Sequence, residues 1–327
     1  MKQEVNTVGK SPFRTWCSMK AMQVNNTDQG PMLIPAELPN PEPALDEVLV
    51  HVHAAGVTPT EFIWYPTTHT KSGTARVGAV PGHEFSGVVT AIGQDVRDFK
   101  VGDEVYGMND WFAEGATAEF CITLPRNIAL KPATLSHEAA ASAPIAALTA
   151  WQGLIDRAKL EPGERVLIHG GAGAVGLYAV QLAHMFGARV ITTVSGRDID
   201  LVKRLGAEEA IDYEASRFEI EVKDVDVVFD AVGGETLERS WCVLKPDGRM
   251  ITIAAGSEGA TDQRVKDAFF IVEPNQKQLV EIAKQLDAGH LRAFVKTTVP
   301  LNEAPAAYSG RVTYKNGYGN IVIAVST

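Results

Sequence analysis

The spacing of apolar and polar residues changes character near Ser136. Before that point apolar residues recur at every second position, as in 47–54 and 85–93, and glycines close several of the runs. A period of two is typical of strands that bury one face. The stretch from 19 to about 132 is therefore predicted to consist mainly of β-strands.

After Ser136 the apolar period becomes helical, and strand-like runs alternate with helix-like runs. Such alternation is typical of βαβ units and a parallel sheet. The predicted strands are 165–169, 189–194, 225–231, 249–255 and 269–272, and the predicted helices are 174–186, 198–205 and 276–288. The remaining segment, 291–325, returns to short strands.

These patterns predict an α/β protein with two domains. Residues 20–145 and 288–327 are expected to form a β-rich domain, and residues 146–287 a doubly wound parallel sheet. Residues 1–19 are polar and are expected to form a flexible N-terminal arm. Because the second domain lies inside the sequence of the first, the cleft between them is the natural place for a ligand.

The turn after the first strand of the second domain carries the spacing Gly171-x-Gly173-x-x-Gly176. We expect Gly171 to permit a sharp turn, Gly173 to let the backbone approach a pyrophosphate, and Gly176 to let helix and strand pack closely. The helix N-terminus at Ala174 and Val175 would then face the phosphates. The alternative is a plain strand-to-helix turn, but the strand before and the helix after it favour a dinucleotide site.

The end of the second strand indicates which nucleotide. A site that prefers NAD usually has a carboxylate there to hold the ribose 2′-hydroxyl, whereas this chain has Ser195 and Arg197. A hydroxyl and a guanidinium suit a 2′-phosphate, with Tyr213 as a further contact. We therefore predict NADP(H). The alternative is a surface turn in which Asp198 caps the next helix.

Composition limits the classes of function. The chain has 327 residues and a formal net charge of −10, without a basic stripe, which argues against nucleic acid or an anionic membrane surface as a partner. Its three cysteines are far apart, so no disulfide framework or paired-cysteine metal site is expected. No signal-length or membrane-spanning apolar run is present. We expect a cytoplasmic protein.

Six short segments, taken together, resemble one family. They are Gly-Val-Thr-Pro-Thr-Glu at 56–61, Pro-Gly-His-Glu-Phe-Ser-Gly at 81–87, Val-Gly-Asp-Glu-Val-Tyr-Gly at 101–107, Ala-Leu-Thr-Ala-Trp at 147–151, the glycine turn, and Phe-Asp-Ala-Val-Gly-Gly at 229–234. In order and spacing the chain resembles the zinc-independent quinone oxidoreductase branch of the medium-chain dehydrogenase/reductase superfamily, over about residues 20–327. The resemblance implies a GroES-like substrate domain, a Rossmann domain, NADPH, and two-electron reduction of quinones or α,β-unsaturated carbonyls.

The same resemblance bears on metal. Zinc-dependent relatives take ligands from a cysteine at the position of Thr58, from the histidine at His83, and from a further cysteine or acid. A catalytic zinc needs three protein ligands besides water, so we expect no metal and a structural, hydrogen-bonded His83. His51 and His53 share a strand face and could in principle chelate, but an ordinary half-exposed pair is the favoured interpretation.

The reaction needs a hydrogen-bond donor for the oxygen on which charge develops. Related enzymes often place a tyrosine two residues after the acid that corresponds to Glu61, where this chain has Ile63. Tyr65 is therefore a displaced candidate for the catalytic donor, and its alternative role is a wall of the pocket. Asp110 and Trp111 are further candidates for the cleft.

The resemblance also implies cofactor contacts. Thr149 corresponds to a residue at the nicotinamide end, Val232 ends one parallel strand, and Asn320 stands where the family commonly has a lysine. Ala254 and Ala255 end the next strand, and Phe270 and Val272 lie in a segment whose backbone meets the carboxamide.

These inferences predict an NADPH-dependent, zinc-independent oxidoreductase that reduces small quinones or α,β-unsaturated carbonyls by hydride transfer. The alternative is an NADPH-binding protein with low turnover in a sensing or structural role, and a zinc alcohol dehydrogenase is disfavoured by the missing ligands. The apolar strand 269–272 further predicts a homodimer paired along that edge, unless the N-terminal arm covers it.

Overall fold

A computed structural model describes residues 18–28, 30–59, 61–313 and 317–326. The flexible arm predicted for residues 1–19 falls outside the described residues up to position 17. Ser18 and Met19 already belong to the first strand.

The β-rich domain is built on one seven-stranded sheet and a hairpin. The hairpin pairs β1 with β2, and the sheet has the order β13-β14-β3-β4-β5-β7, with β6 also pairing with β3. The strands are β1 Ser18–Thr27, β2 Gly30–Pro39, β3 Val48–Val57, β4 Glu84–Ile92, β5 Glu104–Met108, β6 Phe120–Thr123, β7 Ile128–Leu130, β13 Val295–Pro300 and β14 Asn320–Ala324. Since β14 lies antiparallel to β3, the end of the chain completes a sheet that its beginning starts.

The period of two in the sequence of β3 corresponds to the burial of one face of the strand. Val48, Val50 and Val52 are fully buried and pack with Phe85 of β4, while the residues between them are partly exposed. Burying one row of apolar side chains in this way is worth roughly 1.5–3 kcal/mol for each side chain.

The second domain is a five-stranded parallel sheet in the order β10-β9-β8-β11-β12. Its strands are β8 Arg165–His169, β9 Arg189–Val194, β10 Glu209–Asp212, β11 Val225–Asp230 and β12 Leu244–Thr252. The strand order reverses between β8 and β11, and ligands of such sheets bind at that point, beyond the carboxyl ends of the strands. The predicted fold class, a GroES-like β-rich domain with a Rossmann-type parallel sheet, is confirmed.

Ten α-helices are described. They are α1 Tyr65–Thr68, α2 His137–Ala141, α3 Pro144–Trp151, α4 Ala174–Met185, α5 Ile199–Arg204, α6 Phe218–Glu221, α7 Gly234–Ser240, α8 Gln263–Ala268, α9 Gln276–Asp287 and α10 Ala304–Tyr308. A π-helical segment, Gln152–Arg157, continues α3. Within the described ranges no helix combines the length and apolarity needed to cross a membrane.

The segment 269–272 is not the predicted strand. Only Phe269 forms a bridge, with Thr252 at the end of β12. Phe270 and Val272 are buried while Ile271 is 49% exposed, so the alternation in the sequence marks burial against the domain and not pairing in the sheet. The homodimer predicted through this segment stays a prediction.

Three aromatic side chains of the β-rich domain donate hydrogen bonds across the domain boundary. The Tyr106 hydroxyl donates to the Leu279 carbonyl at 2.6 Å, and the Trp111 indole donates to the Val272 carbonyl at 2.8 Å. The Tyr318 hydroxyl donates to Oδ1 of Asp198 at 2.7 Å. These bonds fix the two domains around the cleft that the sequence predicted.

Candidate functional site

The glycine turn follows β8 and precedes α4, as predicted, but the glycine that makes the sharp turn is not the predicted one. The left-handed residue that makes the sharp turn is Gly170, with φ +77°. Gly171 is needed for packing instead, because a Cβ there would overlap the Thr192 hydroxyl. The role predicted for Gly171 is therefore wrong. In a run of consecutive glycines, the sequence does not show which residue adopts the positive φ of the turn.

The other two glycines lie where the dinucleotide interpretation needs them. A Cβ at Gly176 would overlap the Gly170 carbonyl, so this glycine permits close packing of α4 on the turn. Gly173 is the residue before α4, in an extended conformation. A Cβ there would lie 3.1 Å from the Gly170 carbonyl oxygen, at the wall of a cavity.

The cavity in front of this turn, which we call the turn cavity, has a volume of about 760 Å³. Predicted cofactor residues on its wall are Gly173, Ala174, Val175, Gly176, Ser195, Arg197, Tyr213 and Val232. Gly171 is not on that wall, because its backbone faces Thr192.

A second cavity of about 910 Å³ adjoins the first, and both are lined by Val175 and Ile253. We call it the aromatic cavity, after the rings of Trp64, Tyr65, Trp111, Phe112, Phe269 and Phe270 on its wall. Predicted site residues that line it are Tyr65, Thr149, Val175, Ala255, Phe270 and Val272. Ala254 is not among its lining residues. The two cavities form one cleft that leads from the glycine turn into the β-rich domain.

The far end of the turn cavity has the polar groups expected for a ribose phosphate. The hydroxyls of Ser195 and Tyr213 lie 2.9 Å apart, and the Arg197 side chain is 85% exposed. Two further arginines of the wall, Arg217 and Arg239, are paired with Glu219. Arg197 is thus the cation most available to a ligand among these three.

Sequence reasoning missed Asp198, which lines the same cavity. In the alternative interpretation of this turn Asp198 would cap the next helix, but its side chain makes no capping hydrogen bond to α5. Instead it accepts the Tyr318 hydroxyl. No sequence signal identifies this contact, since the two residues lie 120 positions apart.

Tryptophan and tyrosine rings shape the aromatic cavity. Trp64 and Trp111 meet edge to face at a centroid distance of 5.2 Å, and Tyr65 stacks on His69 at 4.5 Å. Tyr65 is 54% exposed. Its hydroxyl has no hydrogen-bond partner within the part of the chain that the structure describes, so it is available to a ligand.

The segment that closes the aromatic cavity is held from both domains. Besides the bond from Trp111 to the Val272 carbonyl, the side-chain amide of Gln152 donates to the Glu273 carbonyl at 2.7 Å. The Gln152 oxygen accepts from the Glu273 backbone amide at 3.1 Å. Thr149, on the preceding turn, donates its hydroxyl to the Ile145 carbonyl.

His83 is buried and both of its ring nitrogens have partners. Nδ1 lies 2.5 Å from Oε1 of Glu61, and Nε2 lies 3.3 Å from the Ala113 carbonyl. Burial lowers the pKa of His83, but the Glu61 carboxylate and the Ala113 carbonyl raise it, and the net shift is upward. Over the described ranges no three His, Cys, Asp or Glu side chains are placed to hold a metal ion.

The other histidines singled out by the sequence form a stack on the β-rich domain. His53 stacks on His137 at a centroid distance of 4.3 Å, and His51 meets His53 edge to face at 5.2 Å. Burial lowers the pKa of both His53 and His137. These three histidines therefore pack against one another on the β-rich domain, outside the cleft.

Glu84 is a fully buried carboxyl that joins three distant segments. Its two oxygens accept from the Ile145 backbone amide and from the Asn320 side chain, both at 2.9 Å. Burial raises the pKa of Glu84 to about 8, while these hydrogen bonds act to lower it. Asn320, a predicted cofactor residue, therefore donates hydrogen bonds to Glu84 and to the Ser142 carbonyl. It does not line either cavity.

The comparisons with known proteins cover both domains. Residues 44–133 match the family described as alcohol dehydrogenase GroES-like domain, and residues 205–322 match zinc-binding dehydrogenase. The chain is 31% identical over 309 residues to a probable mitochondrial zinc-binding oxidoreductase of Arthroderma benhamiae, covering 88% of this chain and 91% of that protein.

An enone reductase and a quinone oxidoreductase are also among the similar proteins. The chain is 32% identical over 294 residues to the chloroplastic NADPH-dependent alkenal/one oxidoreductase of Arabidopsis thaliana, covering 86% of this chain and 73% of that protein. The solved structure of the quinone oxidoreductase from Coxiella burnetii has a TM-score of 0.83 at 30% identity, covering 95% of this chain and all of that one.

The buried Glu84 predicts a pH dependence of stability. Below its ordinary pKa of 4.5 the carboxyl is protonated in the folded and unfolded chains alike. As the pH rises from there to about 8, the unfolded chain releases the proton while the folded chain keeps it, so the stability that the neutral carboxyl confers is lost. Glu84→Gln, which cannot ionise, should flatten the fall in unfolding free energy by up to about 1.4 kcal/mol per pH unit in that window.

Chemical denaturation at a series of pH values measures this slope. Glu42→Gln, at an exposed position, is the matched control and should keep the slope of the unmodified protein. Equal slopes for Glu84→Gln and the unmodified protein would show that Glu84 is ionised in the folded state.

Proposed function

Since the chain belongs to the medium-chain dehydrogenase/reductase superfamily of oxidoreductases, we propose that it is an NADPH-dependent, zinc-independent reductase of quinones or α,β-unsaturated carbonyl compounds. The observation that carries the proposal is the continuity of the turn cavity with the aromatic cavity through Val175 and Ile253. One cleft offers a dinucleotide site at one end and a site for a flat acceptor at the other. Enone and quinone reduction in similar proteins supports the same reaction class.

The turn cavity fits a dinucleotide. Gly173 leaves the space that a Cβ would fill beside the first backbone amides of α4, and such amides bind phosphate with the positive end of the helix dipole. Relatives that use NAD(P)H support a nicotinamide cofactor. For the phosphorylated form we rely on this chain's own residues, in which Ser195 and Arg197 offer a hydroxyl and an available cation to a 2′-phosphate.

When bound, the cofactor supplies a hydride, and the protein contributes position, surroundings and a proton donor. Thr149, Phe270 and Val272 line the part of the cleft that adjoins Val175, so they would hold the nicotinamide end. Because the Gln152 and Trp111 hydrogen bonds fix the backbone of 272–273, that end of the cleft is preorganised.

The acceptor site favours flat conjugated molecules. Trp64, Trp111 and Phe112 line the cavity, and aromatic walls bind planar π-systems by offset or edge-to-face packing. Such walls also exclude water from the reacting carbon. A saturated alcohol would leave most of this surface without a partner.

Tyr65 is our candidate for the catalytic donor. Its hydroxyl is on the cavity wall and has no other hydrogen-bond partner among the described residues. In this role it would donate to the carbonyl oxygen of the acceptor, on which negative charge develops as the carbon accepts hydride. It would then release its proton to that oxygen and regain one from water at the open side of the cleft.

The hydrogen-bonded ring of His83 and the presence of Thr58 support the proposal that the reaction does not use zinc. One ring nitrogen of His83 is hydrogen-bonded to Glu61 and the other to the Ala113 carbonyl. Thr58 stands where zinc-dependent relatives have a thiolate. Elemental analysis should find no stoichiometric zinc in purified protein, and treatment with a chelator should leave reductase activity intact. One zinc per chain that is lost on His83→Ala would contradict this proposal.

The proposed reaction is tested by NADPH oxidation with a panel of quinones, enones, saturated aldehydes and, in reverse, alcohols. We expect turnover with quinones or enones and little with the saturated compounds. Gly173→Val should remove cofactor binding, lowering the rate at limiting NADPH by about 100-fold or more, equivalent to about 2.7 kcal/mol. Circular dichroism should show that this variant remains folded.

In the same assay Tyr65→Phe separates the two roles of Tyr65. If the Tyr65 hydroxyl donates to the developing charge, its loss should lower kcat by about 100-fold with little change in the Kd of NADPH. If Tyr65 only lines the pocket, the substitution should instead raise KM for the acceptor. Turnover of alcohols in preference to enones by the unmodified protein would overturn the proposed reaction.

A further inference from the structure

We propose that Tyr318 determines cofactor specificity by positioning Asp198. By holding the Asp198 carboxylate, it keeps the ribose end of the turn cavity open to a 2′-phosphate. The inference rests on the proposed use of NADPH and concerns how this chain tolerates an acid in an NADPH site.

A site that binds NADPH is not expected to have a free carboxylate near the ribose, yet Asp198 places one there. It lies three residues after Ser195 and lines the turn cavity together with Ser195, Arg197 and Tyr213. A carboxylate beside the ribose accepts from a 2′-hydroxyl and repels a 2′-phosphate, which is how NAD-preferring sites discriminate. Its side chain is only 10% exposed, so solvent screens this charge less than it screens a surface acid.

Two neighbours hold the carboxylate. Oδ1 accepts the Tyr318 hydroxyl at 2.7 Å, and Oδ2 lies 3.8 Å from Nε of Arg197. The hydrogen bond to Asp198 raises the pKa of Tyr318, so the hydroxyl stays protonated and remains the donor. The carboxylate makes no capping bond to α5, so Tyr318 supplies the hydrogen bond that the helix terminus does not.

The geometry also explains why Arg197 stays available. Its side chain is 85% exposed and only loosely associated with Asp198, because Tyr318 satisfies the other carboxylate oxygen. Without the Tyr318 hydroxyl, the carboxylate keeps the Arg197 guanidinium as a partner, and Arg–carboxylate pairs favour close bidentate geometry. The site would then lose its phosphate-binding cation to the acid that repels the phosphate.

Tyr318 belongs to the other domain from the loop that it holds. It precedes β14, the strand that completes the β-rich sheet, and its ring packs against a core cluster that contains residues of both domains. The selection of the cofactor thus depends on a side chain from the far end of the chain, which no glycine fingerprint reports.

The test compares the Kd values of NADPH and NADH, measured by fluorescence titration, in the unmodified protein and three variants. Tyr318→Phe should lower the preference for NADPH, expressed as the ratio of the two Kd values, by about tenfold, mainly through weaker NADPH binding. Adding Asp198→Asn to Tyr318→Phe removes the charge that Tyr318 restrains, and should return the ratio to within about threefold of the unmodified protein.

Tyr106→Phe is the matched control. It also deletes a tyrosine hydrogen bond across the domain boundary, to the Leu279 carbonyl, but it lies outside the turn cavity. It should leave the ratio unchanged even where it lowers the melting temperature. A merely structural role for Tyr318 would weaken both cofactors equally and would not be rescued by Asp198→Asn.

The outcomes separate the two claims. If the unmodified protein prefers NADPH and Tyr318→Phe keeps the same ratio, the role of Tyr318 is overturned while the cofactor assignment stands. If Tyr318→Phe loses the preference and Asp198→Asn does not restore it, Asp198 is not the restrained group and the inference is also overturned. If the unmodified protein binds both cofactors equally or prefers NADH, the NADPH assignment itself fails, and the inference fails with it.

Discussion

A single buried carboxyl fixes where the cleft lies. Glu84 sits on β4 of the β-rich sheet, and its oxygens accept from the first turns of α3 and from Asn320 on β14. A carboxyl without solvent must be neutral or paired, and burial raises the pKa of Glu84 to about 8. Gly56 leaves the space that this side chain fills, since a Cβ there would overlap it. The entry to the nucleotide domain and the end of the chain are thereby held to the same point of the sheet.

The tyrosine and tryptophan bonds across the boundary build on that constraint. Each of these side chains buries an apolar ring and delivers one donor at its tip. Trp111 therefore serves both as a wall of the aromatic cavity and as the donor that fixes the Val272 carbonyl. Tyr318 likewise donates across the boundary, and its acceptor is Asp198 on the wall of the turn cavity. The proposed chemistry depends on these contacts because the protein's contribution to hydride transfer is mainly position.

The fold and the glycine turn between β8 and α4 could be predicted because local patterns encode them. Alternation predicted β3, strand–helix alternation predicted β8, β9, β11 and β12 but not the short β10, and the spacing of Gly173 and Gly176 predicted the start of α4. What the sequence could not show is which of several allowed partners a residue contacts. Asp198 follows the rule for a helix cap yet binds Tyr318, and 269–272 has the pattern of a strand yet packs as an irregular segment. Gly170 and Gly171 have the same chemistry, and only the path of the backbone decides which one turns.

The proposed reaction requires that the cleft bring a nicotinamide ring to the electrophilic carbon of a conjugated acceptor. It is tested most directly by incubating the protein with an enone and NADPH deuterated at nicotinamide C4, in separate experiments with each stereochemical label. We expect one label, and not the other, to appear on the carbon β to the carbonyl in the saturated product, as measured by mass spectrometry. A product that carries no deuterium from either label, or no reduction of any enone or quinone at saturating NADPH, would contradict it.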